Sequence, residues 1–136
     1  MNSSMTPEIY CTALAIGLTG MLWIPIIINR LREIGVWQAL KNPQPDVRPH
    51  ADWAYRLANA HRNAIENVVV FAPLAIIVHV LGREDSLTAA AAMIFFYSRV
   101  AHALIYTFGV PLLRTIAFAV GFGCQGVLLL RILALA

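Results

Sequence analysis

Charge is what this sequence has least of. Only 12% of its residues are charged while 60% are hydrophobic, and Asp and Glu together number 7. So few charges cannot solvate the surface of a 136-residue soluble domain, which excludes that class. Cysteine is equally scarce: Cys11 and Cys124 both fall inside apolar stretches, at a spacing that supports neither a disulfide framework nor a thiolate metal site, so they are assigned to packing. The segment Met1 to Glu8 has no basic residue, which argues against a cleaved secretory leader, and the apolar run after it is long enough to read as a retained helix. Internal repeats and low-complexity tracts are missing. The net charge is only +3, and no nucleic-acid partner is expected.

What is present is apolar length. Uncharged or nearly uncharged stretches run from Ile9 to Asn29, Asn67 to Gly82, Leu87 to Thr107 with Arg99 inside, and Thr115 to Leu130. A bilayer crossing takes about 20 residues, so the second and fourth stretches must borrow flanking residues. The pattern predicts one domain over residues 1–136, an all-α integral membrane four-helix bundle lying in the lipid bilayer. Arg30, Arg32, Lys41 and Arg48 fall in the first loop and Arg114 closes the third, whereas the second loop has Arg83 and the C-terminal end Arg131. The positive-inside bias then puts loops one and three in the cytoplasm and both termini on the other side.

The first helix is predicted from about Pro7 to Arg32, kinked at Pro25, and the three prolines between Lys41 and Pro49 make a stiff loop after it. Asp52 is the predicted N-cap of the second helix and Gly82 its C-terminal stop. That helix is longer than the hydrocarbon core, so its first third should project toward the cytoplasm. Asp85 or Ser86 caps the third helix, which ends near Gly109 and Pro111, and the fourth begins near Leu112. The tight second loop makes the second and third helices antiparallel neighbours.

Against this apolar background two polar stripes stand out. Arg56, Asn59, Asn63 and Glu66 recur at helical spacing, with His61 and Arg62 between them, and Arg99, His102 and Tyr106 repeat the spacing further along. Antiparallel pairing brings the early part of the second helix and the late part of the third to one membrane depth, where Arg30 and Arg114 also arrive. Ionisable groups beside a membrane-length run are costly and usually mark a site. The arginine excess there, set against Glu66, calls for an anionic ligand, since guanidinium forks suit carboxylates and phosphates. Metal binding is not expected, because His61 and His102 lack a carboxylate or cysteine at ligand spacing. Plainer readings exist for each residue alone: an intrahelical Arg62–Glu66 pair, helix-to-helix bonds from Asn63, Asn67 and Gln125, a snorkelling Arg99, a satisfied interior His102 and an interfacial His79. A bundle this small has little room for an internal cleft, which favours a cleft between protomers.

The stretch from Arg56 to Phe71, RLANAHRNAIENVVVF, resembles the signature of the membrane-associated proteins in eicosanoid and glutathione metabolism, the MAPEG superfamily. The stretch from Arg99 to Thr115, RVAHALIYTFGVPLLRT, is similar to its helix-three and helix-four motif, and the likeness extends over essentially the whole chain. It is closest in flavour to small bacterial members related to the microsomal glutathione transferases and prostaglandin E synthases. The resemblance implies a homotrimer with glutathione bound between subunits near the cytoplasmic face. By position, Arg62, Asn63, Glu66, Arg99, His102, Tyr106, Arg114 and Thr115 correspond to the glutathione-contacting set, with Arg30 from the neighbouring subunit. Asn59 departs from the prostaglandin E synthase-like members, which carry arginine there, and the linker after Tyr106 is one residue shorter than theirs.

Such a site implies a glutathione transferase or peroxidase acting on a hydrophobic small molecule that arrives through the lipid. A cation or phenol beside the sulfur stabilises the thiolate, which is the nucleophile; Arg114 is the first choice for that role and Tyr106 the second. Glu66 is expected to meet the ligand's amino group or to hold Arg62 or Arg99 in place. Two other classes remain open. A non-catalytic lipid-binding or scaffold protein of the same fold, like the five-lipoxygenase-activating branch, would keep the polar face without the chemistry. A small multidrug exporter would need a carboxylate in the middle of its first helix, and none lies between Glu8 and Arg30.

Overall fold

The computed structural model describes residues 5–45 and 47–134. Within them the chain forms α1 (Pro7–Met21), α2 (Trp23–Leu40), α3 (Asp52–Val80), α4 (Ser86–Phe108) and α5 (Pro111–Ile132), with no strand. The first two follow one another as a single stretch, so the described residues contain four helices long and apolar enough to cross a membrane. This is an integral membrane helical protein, as the composition requires. The extreme ends of the chain, whose side of the membrane the basic residues were used to assign, lie outside the described residues.

The helix boundaries follow local chemistry, with two corrections. The first span runs past the expected end at Arg32 to Leu40, and it is interrupted twice. Pro25 has no N–H to offer the Met21 carbonyl, and α1 gives way to α2 at Leu22, just before it. Gly35 then adopts φ 78 and ψ 160, a conformation that turns α2 before its last residues. The second correction is at α3, whose N-cap is Ala51; Asp52 is already in the first turn, where it pairs with Arg48 at 2.7 Å. The carboxylate that serves this end comes instead from α2, because Glu33 accepts the backbone N–H groups of His50 and Ala51 at 3.0 and 2.9 Å. Gly82, at φ 62, stops α3 as expected: its N–H reaches the His79 carbonyl and that of Arg83 the Val78 carbonyl. Asp85 starts α4, accepting from the Leu87 and Thr88 N–H groups while the Thr88 hydroxyl accepts the Asp85 N–H.

α3 and α4 form the central pair, with α1 packed on one side of both and α5 on the other. Their contacts are made by small side chains, Ala15, Ala75, Ala91 and Ala92 among them, which let helix backbones approach closely where lipid offers no competing hydrophobic drive. Phe71 and Phe95 stack at the centre with ring centroids 3.7 Å apart. Cys11 and Cys124 are unpaired and buried in the same core. Large apolar side chains such as Val69, Leu104, Leu112 and Phe122 cover the outside.

At the end of the bundle that holds the α3–α4 turn, polar groups tie the helices together. The Thr6 hydroxyl donates to Glu84 at 2.6 Å, Thr88 donates to Glu8 at 2.5 Å, Arg131 pairs with Asp85, and Arg83 donates to the Ile132 and Arg131 carbonyls that end α5. Glu8 is only 1% exposed there, so an acidic group lies buried at this end of the bundle. The reason is tertiary: α1 lays its first turn against α4, and the Thr88 hydroxyl meets the Glu8 carboxylate. His79 is exposed beside Glu84, in keeping with an interfacial position.

Candidate functional site: a cationic cleft between α3, α4 and α5

The opposite end of the bundle is shaped by the corner between α4 and α5. Gly109 adopts φ 78 and ψ 33, ending α4 with its N–H on the Tyr106 carbonyl, and Val110 donates to the Ile105 carbonyl. Pro111 then opens α5, where a missing N–H costs nothing. This corner sets Arg114, in the first turns of α5, beside Tyr106 in the last turns of α4, with the guanidinium carbon 4.6 Å from the ring centroid. His102, one turn back on α4, meets the same phenol edge-on at 5.5 Å between centroids. With Asn63 of α3, and Thr115 and Phe118 of α5, these residues line an open cleft of about 200 Å³.

Five residues of the sequence-derived set, Asn63, His102, Tyr106, Arg114 and Thr115, therefore surround one cleft. Phe118 was missed, although it follows Arg114 by four and Thr115 by three, the spacing of one helix face. Arg99 is close to the cleft without lining it. It is 2% exposed, so it does not snorkel, and its N–H groups go to the Asn63 Oδ1 at 3.2 Å, the Ala117 carbonyl at 2.9 Å and the Ser98 hydroxyl at 3.4 Å.

Arg30, Arg62 and Glu66 do not join the cleft. Arg62 and Glu66 are exposed on α3, and no ion pair or hydrogen bond joins them to each other or to any described residue. Arg30 lines a separate small cavity with Glu33, Val47, Arg48 and His50. Arg56, part of the apparent cation excess, is spent on structure: its Nε donates at 2.8 Å to the Thr107 carbonyl at the C-terminal end of α4, where a cation is favourable. Asn67 and Gln125 make the helix-to-helix bonds expected of them, joined at 3.1 Å across α3 and α5.

What remains around the cleft is cationic and rich in hydrogen-bond donors, with no carboxylate in its lining among the described residues. Arg114 stands in the first turn of α5, where the helix dipole disfavours a cation, so helix stability does not account for it. An anion placed there would be stabilised by guanidinium and dipole together. A MAPEG family model matches residues 8–134, nearly the whole chain. The chain belongs to the MAPEG family. That family's field is glutathione-related transfer and eicosanoid metabolism in membranes, and the cleft lies between the two sequence stretches that carry the resemblance. No curated protein matches the chain.

Proposed function

We propose that this MAPEG protein is a membrane-embedded, glutathione-dependent transferase or peroxidase acting on hydrophobic electrophiles, assembled as a homotrimer with its sites between subunits. The observation that carries the reading is Arg114 stacked over Tyr106 in a cleft that, among the described residues, is lined by donors and by no carboxylate. Glutathione fits that donor set: it is a dianion at its carboxylates and offers further carbonyl acceptors along its peptide. Arg114, Asn63, His102, Tyr106 and Thr115 would hold it, and when bound it would supply a thiol whose thiolate is the nucleophile. Arg114 lowers the energy of negative charge at the mouth of the cleft, and the Tyr106 phenol adds a second donor on the same side. Phe118 supplies an apolar wall for the partner that arrives from lipid.

The homotrimer is supported by what one protomer leaves unsatisfied. Its cleft is open, and Arg62 and Glu66 lie exposed beside an apolar belt without a partner among the described residues, a costly arrangement in a membrane. Packing a neighbour against this face closes the cleft and lets Arg30, Arg62 and Glu66 complete it. The basic first and third loops support an orientation with the cleft on the cytoplasmic side of a bacterial inner membrane and both termini on the other side.

The test is the ultraviolet difference spectrum of the purified protein on adding glutathione, followed by turnover of an aromatic electrophile or a lipid hydroperoxide. A thiolate band with turnover of either substrate is expected. Binding of glutathione with no thiolate band and no turnover would move the protein to the non-catalytic scaffold reading.

A further inference from the structure

Behind the cleft wall lies a line of amides whose orientation can be read without ambiguity. Gln125 of α5 faces the Asn67 main-chain carbonyl at 3.3 Å; a carbonyl only accepts, so the Gln125 amide must present its NH₂ on that side. The same nitrogen donates to the Asn67 Oδ1 at 3.1 Å. Asn67 in turn faces the Asn63 carbonyl at 2.8 Å, which fixes its own NH₂ toward Asn63 and its oxygen toward Gln125. At the far end Arg99, which has donors and no acceptor, sits 3.2 Å from the Asn63 side chain, so the atom meeting it must be Oδ1. Asn67 Nδ2 approaches that oxygen too, at 3.3 Å. Every link carries the same polarity, and the three supporting residues are nearly enclosed: Asn67, Gln125 and Arg99 are 6%, 7% and 2% exposed.

One group is left over. With two donors converging on its oxygen, Asn63 must turn its NH₂ the other way, and that nitrogen has no partner among the described residues while Asn63 lines the cleft. It is not a buried unsatisfied group, so it is reachable. We propose that Gln125, Asn67 and Arg99 are positioning residues that act through Asn63, locking its amide with the NH₂ toward the cleft so that this wall takes only a hydrogen-bond acceptor of the ligand, a carboxylate or carbonyl oxygen. An ammonium group is refused at that point, because the side-chain oxygen of Asn63 already accepts from Arg99 and Asn67 and what faces the cleft is a donor. The inference deepens the glutathione reading and rests on it for the ligand's identity, but the amide orientation belongs to the unliganded protein. Arg99, expected from the family pattern to touch the ligand, acts one residue removed.

Two measurements on the full-length protein in nanodiscs test it. The first needs no ligand: side-chain NH₂ resonances of ¹⁵N-asparagine-labelled protein are recorded with a water-soluble paramagnetic agent. The Asn63 resonance should be strongly attenuated and that of Asn67 spared; an Asn63 NH₂ as protected as that of Asn67 overturns the orientation. The second is a double-mutant cycle on glutathione affinity by calorimetry. Gln125→Met keeps the volume of a buried side chain and removes only its hydrogen bonds, so it should weaken binding about 5-fold in the wild-type background and less than about 2-fold in Asn63→Ala. An unchanged affinity in Gln125→Met, or equal losses in both backgrounds, overturns the relay through Asn63. Wild-type protein that binds no glutathione but shows the expected Asn63 attenuation would sink the proposed function and leave the locked amide standing.

Discussion

Arg99 lies directly against Gly121: a Cβ built on that glycine would come 2.5 Å from Nη2 of the guanidinium and 3.0 Å from its Cζ. The absence of a side chain on α5 is what lets a charged group from α4 reach across to the Ala117 carbonyl and still meet Asn63 on α3. Three helices thus converge on one buried guanidinium that has no carboxylate partner among the described residues and is held by hydrogen bonds.

Gly121→Ala should therefore destabilise the protein by about 1–3 kcal/mol, the usual cost of overfilling a packed site. Gly123→Ala, on the same helix with open space where its Cβ would stand, should be close to neutral. Thermal unfolding of both variants in detergent checks the contrast. Equal midpoints would show that Arg99 swings away freely.

Arg114→Ala should depress turnover far more than glutathione affinity. Its guanidinium is the cation of the cleft, and losing one electrostatic group that acts on developing charge typically costs about 10²-fold in rate. Tyr106→Phe should cost less if the phenol only assists. Steady-state kinetics with calorimetry on the same preparations separates the two quantities.

Three chains per particle are expected by native mass measurement in detergent or nanodiscs. Within that trimer, Arg62→Ala should weaken glutathione binding by about 2 kcal/mol through loss of a charge-assisted bond to a carboxylate. A monomer, or a trimer with unchanged affinity, would remove Arg62 from the site.

Stability should also depend on the latch at the other end. The Thr6 hydroxyl, with His79 in support, holds the Glu84 carboxyl below its ordinary value of 4.5, and the backbone N–H of Thr88 lowers that of Asp85 in the same turn. A carboxyl whose folded value is depressed contributes stability that is fully present above its unfolded value and is lost as pH falls through the folded one. Thr6→Val removes the main cause at Glu84. The variant should melt below wild type at about pH 7, and the gap should narrow as pH falls through the folded value of the Glu84 carboxyl, where the proton it takes up removes the acceptor that Thr6 serves. A gap that does not change with pH would mean that Thr6 contributes only by packing and by capping α1, where its hydroxyl accepts the Ile9 N–H.

Much of this protein is decided by sequence. The poverty of charge and four apolar runs of spanning length leave little choice but a helical membrane bundle, because backbone polar groups in hydrocarbon must be satisfied within each helix. Gly82, Asp85, Gly109 and Pro111 end or begin helices for reasons of local conformation that act on a few neighbouring residues. Helical spacing likewise put His102 and Tyr106 on one face, and Arg114 and Thr115 just past the corner that follows.

Other features were settled only when helices met. Spacing cannot tell a cation that lines a cleft from one that is consumed behind it, and Arg56 and Arg99 turned out to be consumed, by the Thr107 carbonyl in one case and by Asn63, Ala117 and Ser98 in the other. Nor does it tell which carboxylate serves the start of α3, because Glu33 reaches it from α2 across a proline-rich loop. Nor does it show that Glu8 is buried, which follows only from the docking of α1 against Thr88. The polarity of the Gln125–Asn67–Asn63 line belongs to the tertiary structure alone: an amide has a donor end and an acceptor end, and only the carbonyls and the guanidinium packed beside it decide which end faces the cleft.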